Sequence, residues 1–350
     1  MVIMLPWLGS NYSKNLGHLT RKQGIQLPGF DLGEDGPREG ARLFDPSEQA
    51  SVKSLSRLRL LIAYDGSEFH GFADQPGIRT VAGELKKAIR QIYGTEIDLV
   101  CAGRTDRGVH AQGQVVHFDL PAELISRTRS SELVRFAKSL NSLLNPEIAI
   151  REISIVGNDF DARHSAKSRK YLYTIVNSDI RSPFIYRYAW YVEKPLDMRA
   201  MVLGCDALIG EHDFSSFCRR PPGTGSEEPL VRRIIDARWH QVSQALSLSP
   251  VGAAPFSPVG AVPLSPVGAA PFSPVGATPW FASQANVMQF EIVAVAFCHQ
   301  MVRSIVGTLV AMGMGKRKPG EMASILRARD RSVAEPPAPP NGLSLVEVVY

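Results

Sequence analysis

The chain is poor in cysteine and has no long apolar run. Its four cysteines, Cys101, Cys205, Cys218 and Cys298, form no Cys-x-x-Cys pair. Wide separation of this kind predicts neither a zinc site nor a disulfide framework, and it fits a reducing compartment. No apolar run approaches the roughly 20 residues of a membrane-spanning helix, and residues 1–8 lack the basic start of a signal peptide. We therefore expect a soluble, cytoplasmic protein with no membrane segment.

Hydrophobic residues make up 44% of the 350 positions, which is enough for two modest cores. The net charge of +5 is compatible with a polyanionic partner but does not require one. Much of the positive charge lies in four clusters, which suits contact with a phosphate backbone at several points. A solvated surface is the alternative for any single cluster. The clusters are Arg163 to Lys170, Arg219 with Arg220, Arg232 to Arg238, and Lys316 to Lys318.

Two segments differ in composition from the rest. Residues 1–55 are polar and show no clear periodicity, so we expect a disordered extension. Residues 249–280 repeat the octapeptide Ser-Pro-Val-Gly-Ala-x-Pro-x four times. Its proline and glycine content excludes a helix or a central strand, and it carries no ligand-type residue. The repeats therefore predict a loop insertion between two strands rather than a binding array.

The remaining periodicity predicts two α+β halves, residues 56–157 and residues 158–350. Strands and helices alternate without a strict βαβ rhythm, which favours α+β over a doubly wound sheet. Period-two patterns predict strands at 58–64, 98–102, 114–119, 148–156, 169–176, 231–242, 287–296 and 343–350. Helical spacing appears at 81–92, with Thr80 as N-cap, and at 133–144, 198–209 and 301–310. In the helix at 198–209 we expect Val202 and Ile209 to share the buried face.

Asp106 lies in the most informative segment, between Arg104 and Arg107 and between Gly103 and Gly108. Neighbouring cations favour the ionised carboxylate, which can act as a nucleophile or a base. The glycines allow the main chain to approach a bulky ligand closely. A tight turn that the aspartate caps through local hydrogen bonds is the alternative.

Six motifs, in this order along the chain, resemble those of the TruA family of tRNA pseudouridine synthases. They are 63–66 with 70–72, 101–119, 159–166 with 169–173, 210–217, 297–303 and 342–345. Four positions depart from the usual family pattern, namely Phe72, Arg107, Cys298 and Gln300. None of these departures removes an expected catalytic residue.

The resemblance implies two ferredoxin-like (RRM-like) halves with joined antiparallel sheets and an active cleft between them. It implies conversion of uridine to pseudouridine at positions 38, 39 and 40 of the tRNA anticodon stem-loop, by a homodimer that uses no metal and no other cofactor. The catalytic residue by resemblance is Asp106. It either attacks the nucleotide or removes a sugar proton, and the sequence does not choose between these steps.

Three further residues are candidates for substrate binding. By resemblance, the ring of Tyr171 stacks on the uracil and its hydroxyl assists proton removal, although an aromatic residue in a strand usually belongs to the core. Arg303 lies off the apolar stripe of its helix, and we predict that it pairs with Asp106 rather than extending into solvent. Arg104 is a candidate for contacting phosphate or displacing the base. We expect His110 to make a structural hydrogen bond.

Two other functions stay open from the sequence. A relative with the same chemistry could act on another RNA, because peripheral basic loops set the target. A non-catalytic RNA-binding protein could keep the scaffold, although the set of Asp106, Tyr171 and Arg303 counts against it.

Overall fold

The computed structural model describes residues 54–125, 130–220, 228–242 and 286–350. The expectations for most of the N-terminal extension and for the octapeptide repeats lie outside the described residues. Within them, the chain forms a mixed α+β structure built on a ten-stranded sheet. The predicted α+β class is therefore confirmed.

In the described part of the chain, the sheet contains ten strands. They are β1 Leu55–Tyr64, β2 Val100–Cys101, β3 His110–Pro121, β4 Ile148–Val156, β5 Ser168–Asn177, β6 Trp190–Val192, β7 Gly210–Asp213, β8 Val231–Val242, β9 Asn286–Ala294 and β10 Leu343–Val349. Their order across the sheet is β4-β1-β3-β10-β5-β9-β8-β7, with β2 paired to β3 and β6 paired to β5. The sheet is mostly antiparallel, and the parallel pairs are β10 with β3 and β5 with β6.

Six α-helices lie in the described ranges. They are α1 Val81–Tyr93, α2 Ala122–Ile125, α3 Ser130–Leu144, α4 Met198–Cys205, α5 Met301–Gly313 and α6 Glu321–Ala328. Helix α1 begins where expected, because the Thr80 side chain accepts a hydrogen bond from the Gly83 N–H at 3.2 Å. It ends at Gly94, whose φ of 68° suits a helix C-terminus. Among these helices, none combines the length and apolar character needed to cross a membrane.

The pattern of buried residues in each element follows the periodicity of that element. In β1 alternate residues are buried, so one face of the strand packs into the core while the other is only partly covered. Helix α5 is different, since every residue except Arg303 is buried. A helix that is apolar on all sides is typical of a protein interior. The single charged residue of α5 is therefore placed in an otherwise buried element.

Helix α4 corrects one expectation. Val202 and Ile209 are exposed, with 42% and 43% of their surface accessible, while Met201 and Leu208 are buried. The α-helix ends at Cys205 and continues as a short 3-10 turn. The tighter turn changes the angular spacing beyond Cys205, which accounts for Ile209. Val202 lies in the regular helix, where the residue next to buried Met201 points about 100° away from it.

The last strand in chain order, β10, lies in the interior of the sheet. Strand β10 pairs in parallel with β3, from the first part of the chain, and antiparallel with β5, from the second. The sheet is thus continuous through β3, β10 and β5. Its division into two ferredoxin-like halves near residue 157 stays a prediction.

The segment 334–342, here called the strap, leads into β10 and lies against α5. The Ala338 N–H donates to the Arg303 main-chain oxygen at 2.9 Å. The Tyr173 hydroxyl donates to Pro339 O at 2.7 Å. Contact with α5 is close at Gly307, where an added Cβ would lie 2.2 Å from Pro336 O. Only glycine fits at that position while the strap stays in place.

We predict that Gly307→Ala lowers the free energy of unfolding by about 1–3 kcal/mol, because the new methyl group would displace the strap. In an open helix the same change stabilises by roughly 0.5–1 kcal/mol. Urea unfolding of the full chain measures the difference. Gly320→Ala is the matched control, since nothing lies within 4 Å of an added Cβ there. A Gly307→Ala protein as stable as the wild type would contradict the close contact.

Candidate active site

Asp106 makes two contacts through its carboxylate. Arg303 Nη1 donates to Oδ2 at 3.2 Å, and His299 Nε2 lies 3.3 Å from Oδ1. The pairing of Asp106 with Arg303 that the sequence predicted is therefore present. The alternative of a local cap is not, because the carboxylate faces residues almost two hundred positions away. About a fifth of the Asp106 side chain is exposed (21%), so a substrate can reach it.

The Asp106 loop, residues 102–109, connects β2 to β3 and is fixed by buried neighbours. The Thr105 hydroxyl shares a hydrogen bond of 2.8 Å with the Tyr64 hydroxyl. Thr105 O also accepts from the Phe72 N–H at 3.1 Å. Gln114 holds the start of the loop, since its side-chain amide bonds both the N–H and the carbonyl oxygen of Gly103. A loop tied at these points presents its acid in a defined position.

Gly108 ends the turn that carries Asp106. Its φ of 76° is a left-handed conformation that glycine adopts without strain. The Val109 N–H closes the turn on the Asp106 main-chain oxygen at 3.1 Å. An added Cβ at Gly108 would meet the Pro340 ring at 3.0 Å, so the loop also lies against the strap.

Arg169 ties the Asp106 loop to β5. Its side chain is buried, and the guanidinium donates to main-chain oxygens of Ala102, Arg163, Ala166 and Val295. The bonds to Ala102 are 3.2 and 2.9 Å long. This corrects part of the first basic cluster, because the donors of Arg169 are used inside the protein and do not face a phosphate. A cationic group with several carbonyl partners can be buried at tolerable cost.

Arg303 is held at both ends of its guanidinium. Nε donates to Ala338 O in the strap at 2.7 Å, while Nη1 reaches Asp106. Only 14% of the side chain is exposed. The planar guanidinium can satisfy both acceptors in one orientation, which fixes the carboxylate as well as neutralising its charge.

Tyr171 lies on β5 and is 7% exposed. Its ring packs edge-on against Phe297, with 5.1 Å between the centroids. A Cβ added to Gly103 would lie 3.6 Å from the hydroxyl, which places that hydroxyl beside the start of the Asp106 loop. Burial and the negative charge of Asp106 raise the pKa of Tyr171 above its ordinary value. Among the described residues, no group accepts or donates a hydrogen bond to this hydroxyl.

Arg104 is not brought to the carboxylate. Its side chain is exposed, and within the described ranges it makes no hydrogen bond or ion pair. His110 is structural, as expected: it is buried, its Nδ1 accepts from the Gly66 N–H at 3.0 Å, and its Nε2 lies 3.0 Å from Arg187 O.

His299 is a site residue that the sequence pattern did not predict. A signal existed, because His299 precedes Arg303 by four residues in the motif 297–303. It lies just before α5, so helical spacing gave no direction for its side chain. The side chain is 46% exposed and reaches the opposite carboxylate oxygen from the one that Arg303 binds.

The expectation of no disulfide is wrong for one pair. Cys218 and Cys298 are bonded, at a sequence separation of 80. No spacing rule joins two cysteines so far apart. The fold does so by packing the end of the 3-10 turn Ser215–Phe217 against the start of α5.

The site thus offers an accessible carboxylate with a donor on one oxygen, His299 beside the other and a protonated phenol nearby. Such a group can attack an electrophilic carbon or accept a proton. Residues that could hold a metal ion together were not found in the described part of the chain, where no three acidic, histidine or cysteine side chains form a group.

Comparison with known proteins shows similarity to one protein family. The family model described as tRNA pseudouridine synthase matches residues 60–165 and 205–350. Asp106 lies in the first matched segment, and His299 and Arg303 lie in the second. Tyr171 falls between them.

Individual relatives agree with the family model. The tRNA pseudouridine synthase A of Brevibacillus brevis is 36% identical over 296 residues, which covers 85% of this chain and 100% of the relative. The protein of the same name from Caldicellulosiruptor saccharolyticus is 32% identical with the same coverage. That from Geobacillus kaustophilus is 34% identical over 84% of this chain and 94% of the relative. The chain belongs to the tRNA pseudouridine synthase family.

Proposed function

We propose that this enzyme isomerises uridine to pseudouridine at positions 38, 39 and 40 of the tRNA anticodon stem-loop, with Asp106 starting the reaction on a flipped-out base. Family membership supports uridine isomerisation in tRNA. The observation that carries the role of Asp106 is its carboxylate, which is accessible yet bound by Arg303 and His299. The positions in the anticodon arm are carried by the resemblance alone.

The reaction breaks the glycosidic bond, turns the detached uracil and joins it again through carbon. Asp106 either attacks the nucleotide or removes a sugar proton to release the base, and both steps need the ionised carboxylate. Arg303 and His299 hold the carboxylate in place, since Arg303 donates to one oxygen and His299 lies beside the other. A base in a stem or loop must first leave its stack, which costs a few kcal/mol that protein contacts have to offset.

Tyr171 has two parts in this proposal. Its ring contacts the uracil, and its hydroxyl passes on the proton that leaves the base when the ring becomes aromatic again. Because its pKa is raised, the group acts as a neutral phenol rather than as a phenolate. Arg104, exposed two residues before Asp106, is placed to contact a phosphate or to occupy the space that the flipped base leaves.

A homodimer that holds the tRNA across both subunits, in the cytoplasm, completes the proposal. The resemblance of the six motifs supports the dimer. Sedimentation of the full chain with and without tRNA would test the dimer.

We predict that Asp106→Asn lowers the rate of tritium release from tRNA containing 5-tritiated uridine by about 10²–10⁴-fold, because an amide can neither attack nor accept the proton. Binding of tRNA should stay within a few-fold of wild type. Mapping of pseudouridine in the product tRNA tests positions 38–40. Wild-type release at other positions would contradict the proposed target, and no release from wild type would contradict the activity.

We predict that Arg303→Lys lowers kcat by about 10²-fold with little change in KM, because an ammonium group cannot hold Ala338 O and Asp106 in one fixed plane. His299→Gln is the comparison, since its amide can still donate to Oδ1 and leaves the pair with Arg303 intact. We expect a smaller loss there than in His299→Ala. Equal kcat values for Arg303→Lys and wild type would exclude a positioning role for Arg303.

We predict that Tyr171→Phe keeps tRNA affinity but lowers kcat, because the ring stays and the hydroxyl is lost. The raised pKa also has a consequence for wild type: the phenol stays protonated below its folded pKa, so kcat should show no alkaline fall from Tyr171 up to about pH 9.5. The measurement is kcat against pH for both proteins. An alkaline fall below about pH 9 that Tyr171→Phe abolishes would contradict the neutral phenol.

A further inference from the structure

A cavity of about 690 Å³ lies beside the candidate active site and is rich in arginine. Its volume is within the range of about 300–1,000 Å³ that is usual for ligand sites. The lining residues are Ser215, Cys218, Arg219, Arg220, Gln300, Arg329, Asp330, Arg331 and Pro337. The lining thus contains four arginines and one aspartate.

The single acid of the lining does not neutralise the arginines. The Asp330 carboxylate is bound by the Ser332 N–H and hydroxyl, at 2.8 and 2.6 Å. Arg329 is paired with Asp213 at 3.2 Å, and Arg331 donates to main-chain oxygens. The remaining positive charge therefore favours an anion in the cavity.

Arg219 is the most available of the four arginines. Its side chain is exposed, and among the described residues its guanidinium has no hydrogen bond and no ion pair. Its main chain is nevertheless fixed, because the Arg219 N–H donates to His299 O at 3.0 Å. A cation on a fixed backbone can bind an external anion without losing an internal partner.

The cavity adjoins the Asp106 site through three links. Arg219 bonds to His299, which contacts Asp106. Cys218 is bonded to Cys298, immediately before His299. Pro337 precedes Ala338, the acceptor for Arg303. An anion in the cavity would therefore lie close to the nucleotide on which Asp106 acts.

A second cavity, of about 660 Å³, shows that concavity alone does not produce this charge. It is lined by residues of 195–200 and 312–319, including Arg317 and Lys318. Arg317 is paired with both Glu335 and Glu321, at 2.7 and 3.3 Å. The two glutamates largely compensate the charge of Arg317, so the second cavity is a weaker candidate for binding an anion.

We propose that the arginine-rich cavity binds a backbone phosphodiester group of the RNA next to the target uridine. The inference rests on the proposed function, because it takes the substrate to be tRNA. A phosphate held there fixes the strand on one side of the flipped nucleotide. Arginine suits this task, since its planar fork of N–H donors matches phosphate oxygens.

The test is the salt dependence of tRNA binding by the full-length protein, for wild type, Arg219→Ala and Arg219→Lys. Each phosphate contact contributes about 0.7–0.9 to the slope of log affinity against log salt concentration. We expect Arg219→Ala to lose about that amount, and Arg219→Lys to keep most of it. Arg199→Ala is the matched control, because Arg199 is exposed on α4, outside the cavity. It should bind as wild type does.

A second measurement uses inorganic phosphate in place of chloride at constant ionic strength. It should weaken tRNA binding by wild type more than binding by Arg219→Ala. Equal slopes for the two proteins, weaker binding with an unchanged slope, or equal competition by phosphate would each overturn the inference. Thermal unfolding of each variant checks that the fold is intact.

Tritium release at saturating tRNA separates this inference from the proposed function. We expect the control Arg199→Ala to reach the wild-type kcat, whereas the defect of Arg219→Ala should appear in its affinity for tRNA. Failure of wild type to release tritium, together with a slope that depends on Arg219, would reject the proposed reaction and keep the RNA site. A low kcat with unchanged affinity would reject the site.

Discussion

The arrangement of the active site depends on the strap, residues 334–342, and on the strand β10 that follows it. The strap accepts from Arg303 and Tyr173 and lies against Gly307 and Gly108. The same stretch of backbone therefore contacts helix α5, strand β5 and the Asp106 loop. Because β10 then pairs with both β3 and β5, the strap cannot shift without breaking ladder hydrogen bonds. This is how residues almost two hundred positions apart are kept at hydrogen-bonding distance.

Arg169 and Arg303 each connect separate segments of the chain, but they donate to different kinds of acceptor. Arg169 is buried and donates only to main-chain oxygens, so it fixes backbone without creating an ion pair. Arg303 divides its donors between a main-chain oxygen and a carboxylate. In Arg169, the N–H donors of the guanidinium are all used for hydrogen bonds to the protein's own main chain. The Arg303 arrangement leaves Asp106 oriented but still reachable, because the other lone pairs of the carboxylate stay open.

Local patterns predicted much of this structure, and long-range contacts explain what they missed. The strand at 148–156 and the helix at 81–92 follow from periodicity and the cap at Thr80, so both were predictable from neighbouring residues. The pairing of Asp106 with Arg303 was predicted because Arg303 is a charged residue off the apolar stripe of its helix. The contact of His299, the burial of Arg169 and the Cys218–Cys298 bond depend on which segments the sheet brings together. No sequence period contains that information.

The two groups beside the Asp106 carboxylate, Arg303 and His299, are not equivalent, and the difference bears on the chemistry. Arg303 is mostly buried and fixed to the strap, whereas nearly half of the His299 side chain is exposed. A fixed, permanently charged donor determines where Oδ2 lies, while the more exposed His299 side chain can move aside when a nucleotide enters. The oxygen next to His299, Oδ1, is therefore the better candidate to meet the substrate. The Arg219 N–H donates to the His299 main-chain oxygen. This single hydrogen bond connects the arginine-rich cavity to the residue that lies beside Oδ1.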